Sequence, residues 1–301
     1  MAGSNIKCVI CVAGDILFAI VAWVISIVIR RLAIPYHRGF FCDDESLMYP
    51  FKNSTIPATV MYSIGFILPC FCIIVTELVI ILSSPKAKKR RSVIETLFKV
   101  VFKTLVAFFF GGGVTNLITN IAKYSVGRLR PHFFAICRPD WNLANCSTGA
   151  IARYVTEDVC TGTDKSLITE ARVSFLSGHA SMSMYFMVFL LIYIQRRFTW
   201  KGVLLLKPAL QTLFFSLALY TGLSRISDYK HHWTDVLAGD LLGAVMAILI
   251  VLKVSGLYAE SRCSSEVELK KCGIADLDKS KECGIQQIIP ARDEVDEMTA
   301  M

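Results

Sequence analysis

The chain has 301 residues, of which 54% are hydrophobic, and its formal net charge is +8. A mean hydropathy of +0.54 is more than a soluble domain of this length needs for its core, which excludes a purely soluble globular protein. The sequence also lacks a glycine-rich phosphate loop and any cysteine or histidine spacing typical of zinc. We therefore expect no metal, no cofactor and no nucleic-acid partner.

Six apolar segments are each close to the length that a helix needs to cross about 30 Å of hydrocarbon. Because every backbone polar group must be satisfied internally in lipid, these segments predict an all-α membrane protein with six transmembrane helices. No small-residue cleavage site follows the first segment, which favours a retained span over a signal peptide. The predicted spans are 8–29, 57–82, 98–122, 178–194, 204–223 and 236–254.

The basic loops at 86–91 and 195–201 predict the orientation, since positively charged loops stay in the cytosol. With six spans, both termini are then cytosolic, and the remaining loops face the outside or the lumen. Arg30, Arg31 and Arg38 oppose this orientation because they place positive charge outside. The predicted outer loops are 30–56, 123–177 and 224–235.

Two features of the outer loops fit the glycosylating, oxidising side of a membrane. Asn53 and Asn145 each begin a glycosylation sequon. Disulfides persist in such loops, and four cysteines leave three pairings open. These cysteines are Cys42, Cys137, Cys146 and Cys160.

The last segment, 260–301, has no aromatic residue and is rich in charge, which predicts a disordered cytosolic tail after a six-span domain at 1–259. Without this tail the chain contains 26 basic and 14 acidic residues. That excess of positive charge suits anionic lipids and anionic substrates equally.

The first of three polar segments is Lys123–His132, at the outer end of the third span. If that helix extends beyond the bilayer, Lys123 and Arg130 share one face until Pro131 discourages its continuation. The alternative is that both cations only anchor the helix at the membrane edge.

The second polar segment, Ser174–Ser181, lies where the fourth span begins. Ser177 and Gly178 form a small turn at a helix start, whose free amides and positive dipole end can bind an anion. His179 lies beside this site, as a catalytic group or simply as a hydrogen-bonding one.

The third polar segment, Ser224–Val236, precedes the sixth span. If that span begins early, His231 and Asp235 lie one turn apart, so the carboxylate can hold one imidazole nitrogen and leave the other nucleophilic. His232 is three residues from the same carboxylate, and the spacing does not exclude it. Arg225 adds a planar guanidinium that matches phosphate oxygens.

All three segments are predicted on one side of the membrane. Together they predict metal-free phosphoryl transfer, in which cations and amides neutralise the phosphoryl oxygens, one histidine attacks and another protonates the leaving oxygen.

These residues also carry a family resemblance. Lys123, Arg130 and Pro131 match Lys-x6-Arg-Pro, and the Ser177-Gly178-His179 and Ser224-Arg225-x5-His231-x3-Asp235 patterns follow in order. The chain resembles the type 2 phosphatidic acid phosphatase superfamily, and "GLSRISDYKHHWTDVL" is similar to its animal lipid phosphate phosphatase branch. The resemblance covers residues 35–255.

The resemblance implies a role for each matching residue. His231 would be the nucleophile, forming a phosphohistidine, with Asp235 orienting it and His179 acting as the general acid and then the base. Selecting His231 over His232 comes from the resemblance alone. The phosphate would be bound by Lys123, Arg130, Ser177, Gly178 and Arg225.

The resemblance implies lipid phosphates as substrates: phosphatidate, lysophosphatidate, sphingosine 1-phosphate and ceramide 1-phosphate. The plasma membrane is the expected location, with the endoplasmic reticulum or Golgi as alternatives. The sequence leaves open whether the chain forms a homo-oligomer. Leu176 departs from the family, where proline or an aromatic residue is usual, and we expect this position to form part of the pocket wall.

Three other functions remain open. They are an isoprenoid-diphosphate or sugar-phosphate phosphatase or phosphotransferase of the same superfamily, a non-enzymatic adhesion or scaffold protein, and a transporter. Asp15 and Glu77 within spans could serve transport, although a structural hydrogen-bonding role is the simpler interpretation.

Overall fold

The computed structural model describes residues 2–82, 90–146, 153–198 and 202–253. Within them helices predominate, which confirms the all-α class, and the only strands form one short antiparallel pair. The helices are α1 (Ala2–Leu32), α2 (Ala58–Leu82), α3 (Arg90–Val126), α4 (Phe133–Cys137), α5 (Lys165–Ala171), α6 (Gly178–Arg197), α7 (Leu206–Ser227) and α8 (Trp233–Lys253); the strands are β1 (Phe40–Phe41) and β2 (Tyr154–Val155).

Five helices of the described residues are long and apolar enough to cross a membrane. The predicted span that is missing from these five is 204–223, which corresponds to α7, a helix of 22 residues that is less apolar than the other five. A helical membrane protein is therefore confirmed, and the count of six spans is approximate. The five segments are Val12–Leu32, Ala58–Leu82, Leu97–Val126, Gly178–Arg197 and Trp233–Lys253.

Helix α6 lies at the centre of the bundle, in contact with α2, α3, α7 and α8. Helix α8 approaches it closely, because a Cβ on Gly239 or Gly243 would collide with the carbonyl oxygens of Ser177 and Ser181. Such small residues let the backbones of two membrane helices come together. The close approach places the first turn of α8 beside the start of α6, where two of the three polar segments lie.

Glu77 has a structural role at the opposite end of α6. Its buried carboxylate accepts hydrogen bonds from the Tyr193 hydroxyl at 2.7 Å and from Arg197 Nε and Nη2 at 2.7 and 2.6 Å. A buried charge is stable only when it is paired in this way. Because the ion pair joins α2 to α6, it accounts for Glu77 without a transport function.

The segments on the side of the polar residues form a small cap with its own apolar cluster. In this cap β1 pairs with β2, so that Phe40 lies opposite Val155. The structure selects one of the three open disulfide pairings, Cys42–Cys146 with Cys137–Cys160. The first link joins the segment after α1 to the long segment between α3 and α6, and the second lies within that long segment.

Several predictions fall on residues outside the described ranges. They include most of the basic loop 86–91, the end of the loop 195–201 and the tail at 260–301. The orientation of the chain and the character of its tail therefore stay predictions.

Candidate active site

The C-terminal ends of α3 and α7 and the N-terminal ends of α2 and α6 meet around one cavity of 630 Å³, a volume typical of a small-molecule site. Six of the predicted site residues line it, and Ser177 and Asp235 lie directly behind the lining. The fold thus brings the three polar segments together, while the role of each residue stays a prediction. The six are Lys123, Arg130, Gly178, His179, Arg225 and His231.

Lys123 and Arg130 do not share a helix as predicted. Helix α3 ends before Gly127, whose φ of +57° is a conformation that residues with a Cβ rarely adopt, so the expected continuation to Pro131 is wrong. After this break the chain runs beside the end of α5, where the Arg130 N–H donates to the Ala171 carbonyl at 2.8 Å. The turn brings both cations to the cavity from different directions.

Arg130 is buried, and its guanidinium is only partly satisfied. Its Nη1 lies 3.2 Å from Glu170 Oε1, but its Nε has no hydrogen-bond partner among the described residues. Arg130 lowers the pKa of the Glu170 carboxyl, which keeps that group ionised. Lys123 Nζ donates to the Val173 carbonyl at 3.1 Å, so this cation is also held at the cavity wall.

The start of α6 matches the predicted anion site. Ser177 is the N-cap residue, with extended backbone, and its hydroxyl accepts from the Ala180 N–H at 3.5 Å. The Ser177 hydroxyl therefore caps the helix and does not line the cavity. A Cβ on Gly178 would lie 3.8 Å from Lys123 Cε, so the backbone of this turn and the lysine face one another.

His179 is held by a backbone carbonyl. Its Nε2 lies 3.2 Å from the oxygen of Ile56, and since a carbonyl only accepts hydrogen bonds, Nε2 carries the proton. The carbonyl belongs to residues 53–57, which precede α2 and which we call the strap.

Asp235 is linked to His231 through a third side chain. The distance from His231 Nδ1 to Asp235 Oδ2 is 3.9 Å, too long for a hydrogen bond. The Ser174 hydroxyl lies between them, donating to Asp235 Oδ2 at 2.6 Å and lying 3.4 Å from His231 Nδ1. Arg128 Nη1 holds the other carboxylate oxygen at 2.6 Å. The Nδ1 side of the imidazole thus faces Ser174, which leaves Nε2 for the cavity.

Only one of the adjacent histidines, His231 and His232, lines the cavity. His232 lies nearer to the carboxylate, with Nδ1 at 3.3 Å from Asp235 Oδ2 and its backbone N–H at 3.2 Å. His231 alone of the two lines the cavity, and it is the more buried. Because α8 begins at Trp233, both histidines precede the helix, and the expectation that His231 and Asp235 share one helical face is wrong.

Arg225 is held by the strap. Its Nη1 donates to the Ile56 carbonyl at 3.3 Å and its Nη2 to the Ser54 hydroxyl at 3.1 Å, while its buried Nε has no partner among the described residues. Asp228 fastens the strap, since its carboxylate accepts from Thr55 N and Oγ1, both at 2.7 Å. The strap therefore contacts both His179 and Arg225.

The charges around the cavity favour an anionic ligand. Five basic side chains and one acidic side chain, Glu170, are among its lining residues. Burial lowers the pKa of His231 well below its ordinary value, and the cations Arg130 and Lys123 act in the same direction. Burial also lowers the pKa of Lys230 to about 8. The basic residues are Arg30, Lys123, Arg130, Arg225 and Lys230.

Several functional contacts were missed by sequence reasoning. Arg128 and Ser174 lie inside the first two polar segments, yet only the fold shows that both reach Asp235. Asp228 and Lys230 were visible as charges in the third segment, but nothing in the spacing indicated that one fastens a strap from another part of the chain. The interactions between distant segments were therefore not accessible from the sequence.

Two predictions about single positions have different outcomes. Leu176 is buried and is not among the residues that line the cavity, so the expectation that it forms the pocket wall is wrong. Asn53 and Asn145 are both exposed, and their glycosylation stays a prediction. Asn53 lies at the cavity, where a glycan would be close to the strap.

Comparisons with known proteins agree with this geometry. The family model described as the PAP2 superfamily matches residues 104–258, more than half of the chain. The chain is 40% identical to phospholipid phosphatase 1 of Rattus norvegicus over 253 residues, which are 84% of this chain and 87% of that protein. It is also 40% identical to phospholipid phosphatase 2 of Homo sapiens over 268 residues, 85% of this chain and 88% of that protein.

No solved structure matches the chain. The family model and the relatives both span the three polar segments that form the cavity. The chain therefore belongs to the PAP2 superfamily.

Proposed function

We propose that this chain is an integral membrane phosphatase that hydrolyses the phosphate monoesters of lipids in two steps, through a phosphohistidine at His231. The observation that carries this proposal is the cavity itself, where five basic side chains meet His179 and His231, which are held in different ways. The names of the relatives, phospholipid phosphatases 1 and 2, support lipid substrates.

The phosphoryl group is bound by Arg130, Arg225 and Lys123 together with the start of α6. Each of the two arginines is buried and keeps an Nε donor free of protein partners among the described residues. The first amides of α6 add donors that no helical carbonyl accepts. Donors fixed in advance around the phosphoryl oxygens stabilise the charge that develops in the transition state.

In the first step the lone pair of His231 Nε2 attacks phosphorus, and the bond between phosphorus and the ester oxygen breaks. His179 acts in its doubly protonated form: Nε2–H stays on the Ile56 carbonyl, and Nδ1 gives its proton to the leaving oxygen. The lipid alcohol departs and His179 becomes neutral. The positive charge that develops on the His231 ring is stabilised by Asp235 through the Ser174 hydroxyl, 2.6 Å from the carboxylate. Ser174 therefore acts as a positioning residue.

In the second step His179 takes a proton from water, and the water oxygen attacks phosphorus. The bond between phosphorus and Nε2 breaks, which frees inorganic phosphate and restores neutral His231. The first step needs an unprotonated His231 Nε2, which agrees with a pKa held well below its ordinary value by burial. The proposal includes no metal ion.

The finer assignments belong to the same proposal. Substrates include phosphatidate, lysophosphatidate, sphingosine 1-phosphate and ceramide 1-phosphate, cleaved on the outer face of the plasma membrane with both termini in the cytosol. Mass shifts after glycosidase treatment, reduced in the Asn145→Gln variant, test this orientation. Labelling of loop 86–91 on intact cells would contradict it.

Phosphate release by the purified protein in detergent tests the activity. The substrates should include the four lipid phosphates, an isoprenoid diphosphate and a sugar phosphate, each with and without a chelator. We expect release from the lipid phosphates that chelation does not reduce. Preferred hydrolysis of the diphosphate or sugar phosphate would contradict the substrate class, and loss of activity on chelation would contradict the metal-free reaction.

A further inference from the structure

The cavity extends beyond the phosphate-binding cations into the bundle. Tyr62 of α2 and Asn116 of α3 are among its lining residues, together with Thr119 and Asn120. Asn116 precedes Lys123 by seven residues of the same helix, and at a rise of about 1.5 Å per residue this places it roughly 10 Å further along α3. The additional depth is more than a phosphate group needs, so the cavity has room for the next part of a substrate.

The polar side chains in this part of the cavity have two different uses. Asn120 is committed to helix packing, since its Nδ2 donates to Ser26 Oγ at 2.9 Å and lies 3.3 Å from Asn116 Oδ1. Tyr62 and Asn116 line the cavity from α2 and α3. One hydroxyl and one amide group together supply three N–H or O–H donors. A hydrogen bond between the two groups uses only one of these donors, so donors remain for a ligand in the cavity.

The position of these donors indicates what they bind. A polar pair inside an apolar span is costly unless it has a partner, and the lipid region next to a phosphate ester carries acceptor oxygens. On the proposed function, with the phosphate between Lys123 and Arg225, the following atoms of the substrate point along α3 towards Asn116.

We propose that Tyr62 and Asn116 form a subsite for the acceptor oxygens that a lipid carries close to its phosphate, either hydroxyl or ester carbonyl oxygens. This subsite makes the enzyme prefer lipid phosphates that have such oxygens over plain alkyl phosphates. It rests on the proposed function, because the bound phosphate determines where the rest of the substrate lies in the cavity. A role in helix packing alone is the competing explanation, since polar side chains also hold membrane helices together.

The Tyr62→Phe and Asn116→Leu variants test the subsite, because both remove donors with little change in volume. The matched control is Tyr220→Phe, which removes the same hydroxyl from an exposed tyrosine of α7. The substrates are a monoacylglycerol phosphate, sphingosine 1-phosphate and an alkyl phosphate of equal chain length, presented in the same mixed micelles at a fixed surface concentration.

We expect Tyr62→Phe to lower kcat/KM for the monoacylglycerol phosphate by about 3- to 10-fold, as the loss of one hydrogen bond would. Turnover of the alkyl phosphate should stay within about 2-fold, and Tyr220→Phe should leave all three substrates unchanged. A loss with the sphingoid substrate as well would identify the hydroxyl as the oxygen bound, whereas a loss with the glycerol lipid alone would identify the ester carbonyl.

An equal loss on all three substrates would overturn the inference in favour of a packing role, and so would unchanged kinetics. Either result leaves the proposed function intact, because wild-type hydrolysis is measured in the same assay. If the wild type released phosphate from none of the substrates, the proposed function itself would fail, and this subsite with it.

Discussion

His179 and His231, two of the three histidines that line the cavity, are held by different kinds of structure. His231 is fixed by side chains, because the Ser174 hydroxyl connects its Nδ1 to Asp235, which Arg128 holds on its other side. His179 is fixed by the backbone of the strap, through the Ile56 carbonyl. The first arrangement depends on several side chains, of which Asp235 lies in the first turn of α8, whereas the second depends on one carbonyl of the strap. His231 is thus oriented by a network of side chains, and His179 by a segment that can be loosened separately.

Replacing each imidazole should have the largest effect on activity and should separate the roles of the two histidines. His231→Ala cannot form the covalent intermediate and should be inactive on every substrate. His179→Ala should lose about 10²- to 10⁴-fold on lipid phosphates, the range of general acid catalysis. An aryl phosphate has a better leaving group, so single-turnover release of its alcohol should be partly restored in His179→Ala and not in His231→Ala.

Two histidines outside the lining serve as controls for this experiment. His37 is exposed and distant from the site in sequence, and His232 does not line the cavity, so substitution of either by alanine should cost much less. If His232→Ala were inactive on the aryl phosphate and His231→Ala were active, His232 would be the nucleophile.

Ser174→Ala should interrupt the link between Asp235 and His231. Arg128 and the His232 N–H hold the carboxylate in place, so it cannot simply move to replace the hydroxyl. We expect kcat to fall about 10- to 100-fold, by analogy with loss of a group that orients a metal-bound histidine, with KM changed little. The control is Ser183→Ala, whose buried hydroxyl lies within hydrogen-bonding distance of the Ala180 and Ala218 carbonyls.

The pH profile distinguishes this role from a loss of packing. The pKa of His231 lies below its ordinary value because of burial, and the carboxylate opposes that shift. Uncoupling the carboxylate should lower the pKa further, so the imidazole stays unprotonated to lower pH and the acid limb of kcat/KM moves towards lower pH. Ser174→Thr retains a hydroxyl and should move the limb back. An unchanged profile in Ser174→Ala would show that the bridge is not used.

Loosening the strap should displace His179 and lower activity moderately. Asp228→Asn weakens the hydrogen bonds at 2.7 Å that fasten Thr55, and Thr55→Val removes one of them. We expect kcat/KM on lipid phosphates to fall about 10-fold, with a smaller loss on the aryl phosphate, because the position of the acid is what changes. An equal loss on both substrates would mean that Arg225 and not His179 is displaced.

Gly178→Ala should give the smallest change in structure. A Cβ there meets only ordinary contacts, at 3.8 Å from Lys123 Cε and 3.9 Å from Thr119 Cγ2, so the thermal stability should stay near that of the wild type. The added methyl group faces Lys123, where the phosphate is proposed to bind, so KM should rise several-fold. Wild-type kinetics in this variant would place the phosphate away from the start of α6.

The sequence predicted which residues belong to the site better than it predicted the contacts between them. Apolar segments of span length give the helices, and Ser177 indicates the start of α6, because these signals are local. The turn at Gly127 was missed although its glycine is visible, since nothing local requires a positive φ there. The contacts of Ser174 and Asp228 join residues 61 and 173 positions apart, and only packing brings such residues together.

The central claim is a phosphohistidine at His231, and trapping it is the most direct test. Purified protein is mixed with a lipid labelled in its phosphate, quenched at alkaline pH within one turnover, and the labelled peptide is identified by mass spectrometry. The account predicts an alkali-stable, acid-labile label on His231 that is absent in His231→Ala. With a labelled aryl phosphate, the label should accumulate in His179→Ala, where the base for the second step is missing. A label on His232 or another residue, or hydrolysis with no protein-bound phosphate in His179→Ala, would contradict the account.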